Sequence, residues 1–280
     1  MSEPTTQPAA RTATPRHFLM CRPDFFEVSY EINPWMDVTR HTDRERAIAQ
    51  WETLREAFLS WGHTVDLIDP APGLPDMVYA ANGATVVDGL VYSARFRHPE
   101  RAAEGPLYEK WFADHGFMTQ TATEINEGEG DILLVGDTFL AGTGFRTDAS
   151  SHAELSALTG RQVVTLELVD PRFYHLDTAL AVLDSRPGHE LIAYYPPAFS
   201  PASQAVLAER YPDAVMATEA DAVGLGLNAV SDGLHVAVAP AAVDLAAELR
   251  ARGFEPHPVD TTELLKGGGG AKCCTLEIRS

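Results

Sequence analysis

One pattern returns four times along this 280-residue chain: two alternating apolar segments joined by a tight turn. Segment 84–93 turns at Val87-Asp88-Gly89, and 132–141 turns at Gly136-Asp137. Segment 179–195 turns at Ser185-Arg186-Pro187-Gly188, and 227–239 turns at Ser231-Asp232-Gly233. The turns recur about every 45–50 residues, and period-2 alternation around Asp-Gly is a strong hairpin signal. Between the hairpins, apolar periodicity predicts helices over 99–115, 150–158, 201–210 and 241–252. Ser200 or Ser203 suits the start of the third, and Pro240 the first turn of the fourth. Short strands follow the helices, most clearly at 162–166 and 214–217. The N-terminal part completes the same unit with a strand at 17–21, a helix at 43–62 and a strand at 64–68. Its hairpin would come from the C-terminal strand meeting the N-terminal one. The result is five βαβ-type units around an axis. On this reading alone the chain is α/β with repeats, and a two-domain sandwich is also compatible.

A hydrophobic content of 45% is ordinary for a globular protein with a sizeable core. The net charge of −19, from 40 acids against 21 bases, argues against nucleic acid and anionic membrane surfaces as partners. That charge chiefly serves solubility, although a negative field also suits a cationic substrate. Three cysteines give no disulfide framework, and a reactive thiol fits a reducing compartment. No apolar run approaches the ~20 residues needed to cross a bilayer. Residues 1–15 are polar and proline-bearing, without an apolar stretch, and read as a disordered tail rather than a signal peptide. No convincing linker interrupts 16–280, which reads as a single domain in a cytoplasmic protein.

Chemistry concentrates at three places. The run Gly267-Gly268-Gly269-Gly270-Ala271-Lys272-Cys273-Cys274 joins a permissive backbone to two thiols, and Thr275-Leu276-Glu277-Ile278 then alternates like a strand. The run lacks the ending and the following helix of a phosphate loop. Asn126-Glu127-Gly128-Glu129-Gly130-Asp131 sets three carboxylates around two glycines. Tyr174-His175-Leu176-Asp177 offers a histidine and an acid which share a side if the segment is extended. A thiol, an imidazole and a carboxylate supply a nucleophile, a proton shuttle and a holder for a cation. Asn82, Glu127 and Asp131, His175 and Asp177, Asn228 and Cys273 all lie at or just before the first strand of a hairpin. Equivalent positions in a cyclic array would face one central channel. Metal binding by the acid cluster is not expected, since no clustered histidines accompany it and a hard-cation loop pattern is absent.

The motifs Glu-Gly-x-Gly-Asp, His-x-Asp and Gly-Gly-x-x-Cys resemble the guanidino-group-modifying superfamily. Its members include dimethylarginine dimethylaminohydrolases, arginine deiminases, arginine dihydrolases and amidinotransferases. The resemblance extends over nearly the whole chain after residue 16. It includes Tyr30-Glu31-Ile32-Asn33-Pro34-Trp35-Met36, Pro75-Asp76-Met77-Val78-Tyr79-Ala80-Ala81-Asn82, Arg95-Phe96-Arg97-His98-Pro99-Glu100-Arg101 and Gly142-Thr143-Gly144-Phe145-Arg146-Thr147-Asp148. It implies a five-bladed pseudo-symmetric α/β propeller, with ββαβ units around a central channel.

The resemblance also implies roles. The Gly-Gly-x-x-Cys spacing selects Cys273 as nucleophile and leaves Cys274 a core filler; Cys21, ending an apolar strand, reads as structural. His175 becomes the general acid and base. Relatives with Glu-Gly-x-Gly-Asp use the first acid, which selects Glu127 over Glu129. Asp131 then orders the loop or the substrate. Asp76, Asn82 and Asn33 resemble substrate-contacting positions, Asn33 that of the arginine dihydrolase branch. Arg97 and Arg146 suit a clamp on the α-carboxylate of an amino acid, as planar bidentate donors. His98, His152 and His189 are expected to be exposed, and His235 to lie on the outer face of a hairpin. The implied reaction is hydrolysis of dimethylarginine to citrulline and dimethylamine through a covalent thiouronium on Cys273, with no cofactor. Arginine as substrate of a dihydrolase or deiminase, and amidino transfer to an amine, are the alternatives within the class. A non-catalytic propeller that binds ribosomes is the alternative outside it, opposed by the acidic charge and the complete Cys/His/Glu set. The expected partner is a small-molecule guanidino substrate. A homodimer is compatible with the sequence, which does not reveal the oligomeric state.

Overall fold

A computed structural model describes residues 11–279. In chain order its strands and main helices are β1 (His17–Cys21), α1 (Arg44–Ser60), β2 (Thr64–Ile68), β3 (Ala84–Val87), β4 (Leu90–Ser93), α2 (Glu104–Asp114) and β5 (Met118–Gln120). There follow β6 (Ile132–Val135), β7 (Thr138–Thr143), α3 (Ala149–Thr159), β8 (Gln162–Glu167), α4 (Leu176–Ala179), β9 (Leu180–Asp184) and β10 (Leu191–Tyr194). The rest are α5 (Pro201–Arg210), β11 (Val215–Met216), α6 (Glu219–Val223), β12 (Val230–Ser231), β13 (His235–Val238), α7 (Val243–Ala251), β14 (Glu255–Pro258) and β15 (Leu276–Glu277).

These strands form five three-stranded sheets. In four of them a hairpin is followed by a helix and a third strand parallel to the second, as in β3-β4-α2-β5 and β6-β7-α3-β8. The fifth joins the two ends of the chain. β15 pairs antiparallel with β1, Phe18 opposite Glu277 and Leu19 opposite Leu276, and β2 pairs parallel on the other side of β1. First strands of different sheets pack together, β9 against β6 and β12, and β15 against β3.

Local chemistry explains the elements. At the first hairpin Asp88 and Gly89 both take positive φ, 51° and 72°, the left-handed pair that a two-residue turn between twisted strands demands. Asp43 caps α1 by accepting from the Arg46 N–H at 3.0 Å. Ala47, Gln50, Trp51, Leu54 and Phe58 give that helix one buried stripe against β1 and its neighbours. Two differences from the sequence reading have physical causes. α2 begins five residues later than expected, because Arg101 turns into the interior and pairs with Glu104 at 2.7 Å. α6 was not anticipated; a capping box between Thr218 and Asp221 starts it.

Of the tail expected over 1–15, residues 1–10 lie outside the described residues. Residues 11–15 carry no regular structure but are fastened. The Thr14 N–H donates to Asp232 O at 2.8 Å, and the Arg11 guanidinium lies 3.5 Å from the centre of the Phe254 ring. Among the described residues no helix is long and apolar enough to cross a membrane.

The pairing of the two ends of the chain rests on a very short strand, so its one buried apolar side chain should be felt. Leu276 is fully buried against Leu19, Ile68 and Val86. Leu276→Ala should lower the free energy of unfolding by about 2–5 kcal/mol in a urea titration. Met118→Ala, at a position 69% exposed, should stay within about 0.5 kcal/mol. Equal midpoints for the two variants would mean that β15 does not contribute to the core.

Candidate active site

Each sheet is entered through a turn that ends at its first strand, and these turns carry the polar residues. Asp76 and Asn82 lie in two 3₁₀ turns before β3, Glu127 and Asp131 flank the turn before β6 with Glu129 inside it, and His175 and Asp177 open α4 before β9. Asn228 precedes β12 and Cys273 precedes β15. Asp76, Asn82, Glu127, Asp131, His175, Asp177, Asn228 and Cys273 are all at most 2% exposed.

The Cys273 thiol lies 3.3 Å from Asp177 Oδ2 and accepts a hydrogen bond from Asn228 Nδ2 at 3.0 Å. Burial, then the charge of Asp177, push its pKa well above the ordinary thiol value. The glycine run makes the approach feasible. A Cβ on Gly269 would lie 2.4 Å from the Tyr79 ring, and Gly268 takes φ +96°, which side chains rarely adopt. Cys274 is fully buried in the apolar cluster that includes Trp51 and Phe58, and all three cysteines are free.

His175 Nε2 and Glu127 Oε2 are 2.7 Å apart. Burial alone would raise the Glu127 pKa, but Arg146 beside it at 2.9 Å and the His175 hydrogen bond hold it well below the carboxylate range. Asp177 is the opposite case. Its burial outweighs the nearby His175 and Lys272 and raises it to about 6. Burial also raises Asp76, against Arg101 and the Tyr30 hydroxyl, which donates to Asp76 Oδ2 at 2.9 Å. Buried polar atoms normally have partners, yet Asp76 Oδ1, Asp131 Oδ2, Asp177 Oδ1 and His175 Nδ1 have no hydrogen-bond partner among the described residues.

Several expected substrate contacts are instead committed to protein partners. Asn228 Oδ1 accepts from the Gly270 and Cys273 N–H groups at 3.0 and 3.1 Å, while its Nδ2 reaches the sulfur and Asp177 O. It therefore holds the Cys273 thiol and its loop. Asn82 accepts from Arg101 at 2.8 Å and donates to Glu127 O. Asn33 caps the Trp35 and Met36 N–H groups and donates to Gly267 O. Asp131 Oδ1 accepts from the Leu176 N–H at 2.9 Å and orders the His175–Asp177 turn. Of the two expected arginine clamps, Arg146 is buried in the site and stacks over the Tyr174 ring at 4.6 Å. The Arg97 side chain sits at the rim, bonded to Arg146 O and Asp148. Glu129 faces away from His175; Lys272 at 2.7 Å, the Glu277 N–H and Arg279 surround it.

Three features escaped the sequence reading. Arg101 is buried and bonds to Glu104, Asn82 and Asp76 O, and so braces the turn that carries Asp76. Its i,i+3 spacing from Glu104 looks like an ordinary surface pair. Residues 22–42 form a strap over the site: Tyr30 bonds to Asp76, Ile32 O to Arg146 at 2.8 Å, Asn33 to Gly267, and Trp35 Nε1 to Arg172 O. His152, expected to be exposed, is only 4% exposed and bonds to Thr165 Oγ1 and Gly142 O.

No family model matches the chain. The N(G),N(G)-dimethylarginine dimethylaminohydrolase of Mycobacterium tuberculosis is 57% identical over 271 residues, 97% of this chain and 88% of that protein. The bifunctional arginine dihydrolase/ornithine cyclodeaminase ArgZ of Synechocystis is 39% identical over 267 residues, 93% of this chain but 37% of that protein. The crystal structure of the substrate-bound N-terminal domain of ArgZ, an arginine dihydrolase from cyanobacteria, is 37% identical with a TM-score of 0.90. The likeness covers 95% of this chain and 98% of that one. Identity of this degree along most of both sequences shows the family, and the chain belongs to the dimethylarginine dimethylaminohydrolases among the guanidino-group-modifying proteins.

Proposed function

We propose that this protein is a cysteine-dependent amidine hydrolase that converts Nω-methylated or dimethylated arginine, with water, to citrulline and an alkylamine. One observation carries the reading. A buried thiol, 3.3 Å from the Asp177 carboxylate, shares its surroundings with carboxylate oxygens of Asp76 and Asp177 that lack partners among the described residues. A guanidinium is a planar cation with several N–H donors, charged at every physiological pH, and suits those acceptors. The dimethylarginine activity of the 57% identical relative supports the choice of substrate.

In the proposed reaction the cation offsets Asp177 and favours the Cys273 thiolate. The thiolate attacks the central guanidinium carbon, forming a C–S bond. His175, held by Glu127, gives a proton to the alkylated nitrogen, and the C–N bond to the departing amine breaks. His175 then takes a proton from water, whose oxygen displaces the sulfur and leaves the ureido group of citrulline. Arg146 suits the α-carboxylate once substrate competes for it. The reading carries with it a single domain over 16–280, a five-bladed propeller arrangement of the five sheets, and a reducing, cytoplasmic setting for the free thiols.

A product assay on arginine, monomethylarginine and dimethylarginine tests the reading. Methylated substrates should be preferred, with citrulline and alkylamine released. The ArgZ likeness defines the contrary outcome: strong preference for arginine, with ornithine and ammonia released, would make the protein a dihydrolase.

The adjacent thiols separate cleanly. Cys273→Ser should abolish turnover with the circular dichroism spectrum unchanged, and Cys274→Ala should keep most activity. The reverse result would shift the nucleophile by one residue.

The pH profile should report Asp177. Below about 6 this carboxyl is protonated and no longer offers charge to a cation, so kcat/KM should fall as pH drops through that value. Asp177→Asn should remove this acid limb and lower kcat/KM by ~100-fold or more. An unchanged limb in that variant would assign the titration elsewhere.

A further inference from the structure

Away from the catalytic turns, His235, Glu255 and His257 bring three donor side chains together, with one donor atom of each within 4.8 Å of the others. The sheet register causes this. In the parallel pair β13–β14, His235 stands opposite Glu255, and His257 lies two residues further along β14 on the same face. Trp61, just after α1, covers the cluster from one side. Its ring stacks on His235 at 5.0 Å and meets His257 at 4.9 Å.

Asp232 orients His235. Its Oδ1 accepts the Leu234 and His235 N–H groups, and its Oδ2 accepts from His235 Nδ1 at 2.7 Å, with His63 Nε2 at 3.4 Å. With Nδ1 bonded to Asp232, His235 turns Nε2 toward Glu255, 3.9 Å away. His257 Nε2 is buried and has no hydrogen-bond partner among the described residues. Packing against Trp61 accounts for the rings but not for a buried imidazole nitrogen left without a partner beside a carboxylate and a second imidazole.

We propose that His235, Glu255 and His257 form a binding site for a divalent transition-metal ion of the zinc class, with water completing the coordination. Two imidazoles and one carboxylate are a donor set that such ions favour over magnesium or calcium. Asp232 supplies the outer carboxylate that fixes the tautomer and orientation of a ligating histidine. Tetrahedral bonds of about 2.0–2.1 Å require the donors to draw together to roughly 3.4 Å. The Glu255 side chain, 61% exposed, is free to rotate inward. The ion would tie β13 to β14 and pin Trp61 at the end of α1, apart from the thiol.

Zn²⁺ titration calorimetry and Co²⁺ absorption on the full-length protein test this. One equivalent should bind in the micromolar range or tighter, raise the melting temperature, and give visible cobalt bands without thiolate charge transfer. His257→Ala and Glu255→Gln should each weaken binding at least tenfold, and Asp232→Asn by ~10–100-fold. Activity of metal-free Glu255→Gln, an exposed replacement, should match that of the parent, which verifies its fold. No saturable binding, affinity in His257→Ala and Glu255→Gln unchanged from the parent, or thiolate bands that vanish in Cys273→Ser would each overturn the proposal.

Discussion

The pairing of β15 with β1 is what brings the site together. Asp177 and Cys273 are 96 positions apart, yet their side chains touch at 3.3 Å. That contact exists because the last strand returns to the first and is fixed there. Two residues of register make a weak ladder, so other contacts share the load. The Ile278 N–H donates to His17 O at 2.8 Å, and Arg16 pairs with Glu277 at 3.1 Å. The entropy of closing so long a loop grows only slowly with its length. The more telling consequence is kinetic, since contacts this distant in sequence form late.

Charge inside the site is balanced unevenly. Glu127 has Arg146 and His175 as partners, which outweigh its burial and hold it as an anion, whereas burial raises Glu104 to about 7 against its partner Arg101. Asp76 and Asp177 each keep an oxygen without a partner, and both resist ionisation through burial. A cation relieves that penalty directly. In the proposed reaction the same cation lowers the cost of forming the thiolate beside Asp177. The thiol is thereby reactive chiefly when substrate is present. Between turnovers it stays protonated and resists oxidants, which attack thiolates.

What the sequence revealed follows the range over which each signal acts. Hairpins were legible because Asp88 and Gly89 must supply positive φ locally, and α1 because its apolar stripe recurs within the helix. Cys273, His175 and Glu127 were legible as a candidate trio through short motifs tied to backbone turns. Asn33, Asn82 and Asn228 were recognised as site residues but not in their structural roles. A side-chain amide shows its partners only in three dimensions; those of Asn228 come from the Gly270–Cys273 loop and from Asp177. Arg101 and His152 failed for the same reason: polar residues beside turns look solvated, and nothing local signals that distant groups bury them.

Glu127 and Glu129 stand two residues apart on one turn and face different tasks. The first holds the imidazole, while the second gathers Lys272, the Glu277 N–H and Arg279 around the closing strand. The segment that aims the acid is also the anchor for the segment that carries the sulfur. Assembly and competence are therefore a single event. On the proposed roles, a chain caught before closure has a thiol with no shuttle and an imidazole with no nucleophile, so immature molecules would perform no stray amidine chemistry. Turnover itself becomes a gauge of completed folding, because no partly built form can contribute to it.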